Sequence, residues 1–101
     1  MEEIGRLRGV EGFEKDPKFI DLTCFTIDEH NKKKNEALKL VKVVNVNQQE
    51  VVSGMMYYIM MEALDEKAGQ KFRYVASVLE KSSDNSKEAQ NLVLLGEVQV
   101  L

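Results

Sequence analysis

Cys24 and His30 are the only cysteine and the only histidine in the chain, and nucleophilic chemistry would have to be built from them. A thiol becomes a useful nucleophile when an imidazole sits within hydrogen-bond reach of it. Six positions apart on a helix, at about 100° per residue, the two side chains stand roughly 120° apart around the axis. They cannot share a hydrogen bond from there. The spacing instead reads as a small core thiol and an imidazole at the helix surface or end. The neighbouring acids Asp28-Glu29 and Glu2-Glu3 point in different directions, so neither forms a facing carboxylate pair. Gly5, Gly9 and Gly12 lack the preceding strand that a phosphate-cradling loop requires. Cys24 and His30 are too few for a structural metal site, which usually takes four soft ligands. Met55, Met56, Met60 and Met61 read as sheet packing. No catalytic residues, metal or cofactor are expected, which shifts the weight from enzyme to binding protein.

The elements that must carry any such surface are bounded by length and composition. With 101 residues, 44% of them hydrophobic and 31% charged, the sequence describes one globular domain spanning 1–101. A formal net charge of −3 argues against a nucleic-acid partner, which calls for a basic face. No run approaches the roughly 20 apolar residues of a membrane span; the longest, residues 55–61, has seven. Residues 1–5 lack the apolar stretch of a secretory leader, so none is expected in this chain. The compartment is left open between cytoplasm and secretion or vacuole after processing. One cysteine allows no internal disulfide.

Residues 1–15 are polar and bear three glycines, which predicts an extended, partly mobile lead-in. Asp16-Pro17 then predicts a helix start, because Asp accepts the free first-turn amides and Pro suits the first helical position. To about Lys34 the apolar residues recur at helical spacing, with Ile20, Cys24, Ile27 and Asn31 on one stripe widened by Leu22 and Phe25. Lys32, Lys33 and Lys34 suit the negative end of the helix dipole, and Asn35 suits the left-handed closing position. Beyond it the pattern turns to strands. They are expected over 38–46, with a bulge near Val41, over 51–64, over 72–78 and over 93–101. Residues 47–50 read as a polar break, 65–69 as a turn and 81–87 as a polar loop. Short connections force antiparallel neighbours, and one apolar helix stripe with one apolar sheet face predicts an α+β, helix-on-sheet domain.

The helix carries more than its period. Leu22-Thr23-Cys24-Phe25-Thr26-Ile27-Asp28-Glu29-His30-Asn31 closely resembles the helix signature of the plant cystatins, or phytocystatins. Val51-Val52-Ser53-Gly54-Met55-Met56-Tyr57-Tyr58 looks like that family's first inhibitory hairpin and the strand after it. The similarity runs from about Gly9 to Gln90, with both motifs in order and in register. It implies a cystatin-like fold: one N-terminal helix packed across a four- to five-stranded antiparallel sheet. It also implies an activity, the reversible, substrate-blocking inhibition of papain-like cysteine proteases. A wedge of three segments would do this: an N-terminal glycine region, the first hairpin and the second hairpin. The carried-over binding residues are Gly9, Glu50, Val51, Val52, Ser53, Gly54, Ser82 and Ser83.

Each wedge element departs from the family pattern. Only Gly9 matches the N-terminal glycine pair, which stands here as Arg8-Gly9. The first loop, usually Gln-x-Val-x-Gly, is Glu50-Val51-Val52-Ser53-Gly54, with an acid in place of the amide. Ser82-Ser83 occupy the position of Pro-Trp, and the chain contains no tryptophan. Weakened or selective inhibition is therefore expected; the alternative is a cystatin-fold structural or interaction protein that does not inhibit. A monomer is expected, with strand exchange through the first hairpin as a route to a swapped dimer. Val51 and Val52 are expected to be strained in that turn.

Overall fold

A computed structural model describes residues 5–98. The helix forms where its caps predict. The Asp16 side chain accepts a hydrogen bond from the Lys18 amide (3.0 Å), Pro17 opens α1 (Pro17–Lys34), and Asn35 closes it at φ 55°. The buried stripe, however, is Phe19, Leu22, Thr23, Thr26 and Ile27, while Ile20 and Cys24 face solvent. Cys24 is thus not the core thiol expected of it. Two threonines take the inward positions because their hydroxyls donate to backbone carbonyls one turn back. Thr23 donates to Phe19 (2.6 Å) and Thr26 to Leu22 (3.0 Å), which frees their methyl groups to pack.

Four long strands follow: β2 (Leu38–Val51), β3 (Gly54–Asp65), β4 (Gln70–Lys81) and β5 (Lys87–Glu97). With the two-residue β1 (Arg8–Gly9) they form one antiparallel sheet in the order β1-β2-β3-β4-β5. The helix lies across one face, where Phe19, Leu22 and Ile27 meet Val46, Ile59, Met61 and Ala76 in a continuous core. This is the α+β arrangement that the sequence predicts.

The boundaries differ in instructive places. Residues 47–50 are strand rather than a break: Asn47 through Glu50 pair with Tyr58 through Met55. Backbone pairing is indifferent to side-chain polarity; β3 holds the whole stretch extended, and β1 adds a second neighbour at residues 47 and 48. The lead-in is likewise tied down over residues 8–10. Arg8 and Gly9 pair with Gln48 and Asn47, and the Val10 amide donates to the Val46 carbonyl (2.9 Å). A one-turn 3-10 helix (Phe13–Lys15) then leads into α1, and residues 1–4 lie outside the description. The bulge near Val41 is present, as a register shift between Leu40 and Lys42, and a second follows between Val43 and Asn45. The last strand begins at Lys87, six residues earlier than predicted, because its polar first half is an outer-edge strand. Residues 99–101 of the predicted strand lie outside the description.

Candidate functional site

The β2–β3 hairpin turns on Val52 and Ser53, with Val51 paired to Gly54. Two-residue hairpins prefer turns whose central residues take positive φ, which branched side chains resist. Here neither Val51, Val52 nor Ser53 takes one; the residue that leaves ordinary backbone space is Gly54, at φ 154°. The strain expected of the two valines is therefore absent from the φ angles, and the unusual φ falls on a glycine, which tolerates it. Gly54 is also required by contact. A Cβ there would stand 2.0 Å from the Glu80 carbonyl oxygen and 3.0 Å from the Ser82 nitrogen. Only glycine lets the first hairpin lie against the second.

The second hairpin is organised by its own side chains. The Asn85 amide donates to the Lys81 carbonyl (2.9 Å), and Asn85 takes the left-handed conformation at φ 59°. The Asp84 carboxylate accepts from the Ser86 amide (3.0 Å) and hydroxyl (2.6 Å), and these bonds hold its carboxyl below the usual range. Beyond the β3–β4 ladder, which already joins the hairpins from Gly54 and Lys81 inward, two bonds tie the tips: the Ser82 amide and hydroxyl both donate to the Ser53 carbonyl, at 3.0 and 3.3 Å. The stretches near residues 51 and 83 therefore project from the same end of the sheet.

The N-terminal segment reaches that end as well. Gly9 is set back along β2, opposite Asn47, whereas Gly5 lies against Glu50, where an added Cβ would come within 3.0 Å of the Glu50 Cβ. The Gln49 side chain donates to the Gly5 carbonyl (3.2 Å). Glu50 lines two clefts: one of about 170 Å³ beside Arg6 and Arg8, and one of about 370 Å³ between the hairpins, beside Val51 and Ser82. Val52 is 78% exposed at the tip; Ser53, Ser82 and Ser83 are also exposed. Geometry thus gathers Glu50, Val51, Val52, Ser53, Gly54, Ser82 and Ser83, with Gly5 nearer the tips than Gly9.

Below the loops, Lys18 from the first turn of α1 donates to Tyr57 Oη (2.8 Å) and Glu80 Oε1 (3.1 Å). Partial burial works against its charge, but these two hydrogen bonds prevail and raise the ammonium pKa above its ordinary value. Tyr57 also meets Phe19 edge-on, with ring centroids 5.4 Å apart. This brace between helix and hairpin base leaves no periodic trace in the sequence, since it joins residues 39 and 62 positions apart.

The catalytic reading of Cys24 finds no partner. Burial and the charges of Asp28 and Asp21 push its thiol up, away from the reactive thiolate. His30 instead bonds Glu36 through Nε2 (2.8 Å). Among the described residues no cluster of three or more metal-ligating side chains exists.

Residues 14–100 match the sequence model of a family described as "SQAPI: Aspartic acid proteinase inhibitor". "Cysteine proteinase inhibitor A" of Helianthus annuus is 49% identical over 70 residues, covering 69% of this chain and 82% of that protein. "Cysteine proteinase inhibitor" of Hordeum vulgare is 42% identical over 79 residues, covering 78% and 71%. "Multicystatin" of Solanum tuberosum is 42% identical over 85 residues, 84% of this chain but 11% of that protein's length. The matched family and these relatives are a class of proteinase inhibitors rather than enzymes. Within that class, the chain belongs to the plant cystatin family.

Proposed function

We propose that the loop end of this protein enters the active-site cleft of a papain-like cysteine protease and blocks it reversibly. The observation that carries the reading is the Ser82–Ser53 junction, which holds both hairpin tips together at the end that Gly5 also reaches. The names of the relatives from sunflower and barley support the protease class. In this reading Gly5, Glu50, Val51, Val52, Gly54 and Ser82 make the contacts, with Gly9 supporting the N-terminal arm from behind. No peptide bond is offered to the nucleophile, so the inhibitor is not consumed. Loops held by paired strands lose little entropy on docking, which lets a modest contact bind usefully.

Affinity is reduced by two substitutions of this chain. A missing aromatic anchor removes about 2 kcal/mol. Burying an imperfectly paired carboxylate at Glu50 costs roughly 1–3 kcal/mol. Together these amount to a hundredfold or more, on the order of a shift from nanomolar to micromolar binding. Titration against papain tests this, with pepsin alongside because the matching family model is named for aspartic proteinases. Inhibition of papain supports the reading. Inhibition of pepsin alone reassigns the wedge, and inhibition of neither leaves a cystatin-fold interaction protein.

The protein works as a monomer in this account, and we propose strand exchange as its route to a dimer. Opening the turn at Val52 and Ser53 would join β2 and β3 and hand the helix–strand unit to a second copy. Size-exclusion chromatography after prolonged heating near the melting point would show the dimer; monomer alone would reject exchange.

A further inference from the structure

The end of the sheet remote from the loops carries a charge pattern that the inhibitory wedge does not use. Register places Lys42, Glu62 and Arg73 side by side across β2, β3 and β4, and Lys39, Leu64 and Lys71 side by side in the next row. Directly paired residues share a face, and this one is turned away from the helix, since Ile59, Met61 and Ala63 alternate inward. Four cations from two strands therefore surround one acid. Glu62 is buried and accepts from Arg73 Nη2 (2.8 Å). The hydrogen bond from Arg73, helped by the charges of Lys42 and Lys71, outweighs burial and lowers the Glu62 carboxyl pKa.

The segregation is large for an acidic chain. Among the described residues, four of the 14 Lys and Arg but one of the 15 Asp and Glu stand in these two rows, leaving ten cations against fourteen anions elsewhere. Eight residues of β3 separate Glu62 from Gly54, roughly 26 Å of strand, so the patch lies clear of the loop end. Lys39, Lys42 and Lys71 are exposed. Beside Arg73 opens a cleft of about 400 Å³ lined by Leu95, Gly96, Glu97 and Val98; Glu97 pairs with Phe72 and so belongs to the helix-facing row rather than to the cationic one.

We propose that this face docks an extended acidic segment of a partner protein, one carrying Asp or Glu on alternate residues with apolar residues between. Lys71 and Arg73, two residues apart on one strand, project from one face about 7 Å from each other. Carboxylates on alternate residues of an extended peptide repeat at the same interval. Leu64 between the outer lysines and Leu95 beside Arg73 offer apolar contact, which favours a peptide over a polysaccharide polyanion with nothing apolar to bury. This inference does not rest on the protease reading.

The experiment titrates the full chain at low salt with a synthetic peptide of alternating Glu and Val, and in parallel with heparin and phosphatidylserine vesicles. Saturable peptide binding is expected, weakened roughly tenfold by the double variant Lys39→Glu/Lys71→Glu, whose side chains are exposed and whose melting point should hold. Lys32→Glu/Lys33→Glu makes the same change in net charge on the helix end and should leave binding as it was. Equal loss in both variants, no peptide binding, or tighter binding of heparin or vesicles than of peptide would each overturn the proposal.

Discussion

Two turns of the same sheet, at opposite ends of β3, are built on different principles. At 65–69 the shape of the turn is set by its own residues, and the outside ties, from the Glu66 amide to the Ala37 carbonyl (3.0 Å) and from Lys67 Nζ to the Asn35 carbonyl, only anchor it to the helix end. Asp65 Oδ1 accepts from the Lys67 and Ala68 amides at 3.0 and 3.2 Å, and Gly69 takes φ 67° with open space around its α-carbon. At 51–54 the turn residues satisfy no such rule. The conformation is held from outside, by the Glu80 carbonyl packed against Gly54 and by Ser82 donating to Ser53. A turn that closes on itself is a connector. A turn that leans on its neighbour fixes two loops relative to each other, which a surface built to fill a cleft requires.

Gly54→Ala should break this contrast most sharply. Its Cβ would overlap the Glu80 carbonyl oxygen at 2.0 Å, so the hairpins must part. A loss of about 3 kcal/mol or more is expected, read as a melting point lower by at least ~12 °C. Protease inhibition should fall a hundredfold or more, on the order of that same free energy. Glu50→Gln comes next: removing the carboxylate from the cleft should tighten inhibition roughly tenfold, with stability little changed. Gly69→Ala places a side chain at positive φ where nothing obstructs it. It should cost only about 1 kcal/mol in a denaturant melt and leave inhibition constants unaltered. Equal effects from Gly54→Ala and Gly69→Ala would erase the distinction between the two turns.

The remote end can also be read by pH. The folded pKa of Glu62 is depressed, chiefly by its bond to Arg73. Its stabilisation is therefore fully present above the unfolded carboxylate value of about 4.3 and lost as pH falls through the lower folded value. Glu62→Gln should flatten that part of the acid limb in melts between about pH 5 and 2. An unchanged acid limb would mean that the Arg73 pairing contributes nothing. The smallest effect belongs to Ser82→Ala, which removes the 3.3 Å hydroxyl bond but keeps the amide bond to Ser53. Inhibition should weaken by a few-fold at most, about 0.5–1 kcal/mol.

What sequence reasoning could reach follows the same division. Asp16, Pro17 and Asn35 fix the helix ends through interactions within a turn, so they were readable from order alone. The 65–69 turn was readable for the same reason. Hydropathy puts Ile20 and Cys24 on the buried stripe because it does not see a threonine whose hydroxyl bonds its own helix. Residues 47–50 read as a break because polarity masks a strand that pairs with β3 throughout and with β1 at 47 and 48. At the loop end, the motif around Val51 located the hairpin, yet Gly5 beside Glu50 and the Lys18–Tyr57–Glu80 brace appear only when distant segments meet. The four-cation patch is hidden for the same reason, since two antiparallel pairings assemble it.

The most direct test is a steady-state titration of papain with the wild-type chain, performed with and without an active-site-directed peptide inhibitor already in the cleft. The account predicts reversible, one-to-one inhibition that competes with the peptide and leaves the chain uncleaved. Full papain activity at high micromolar protein, or inhibition indifferent to an occupied cleft, would contradict it.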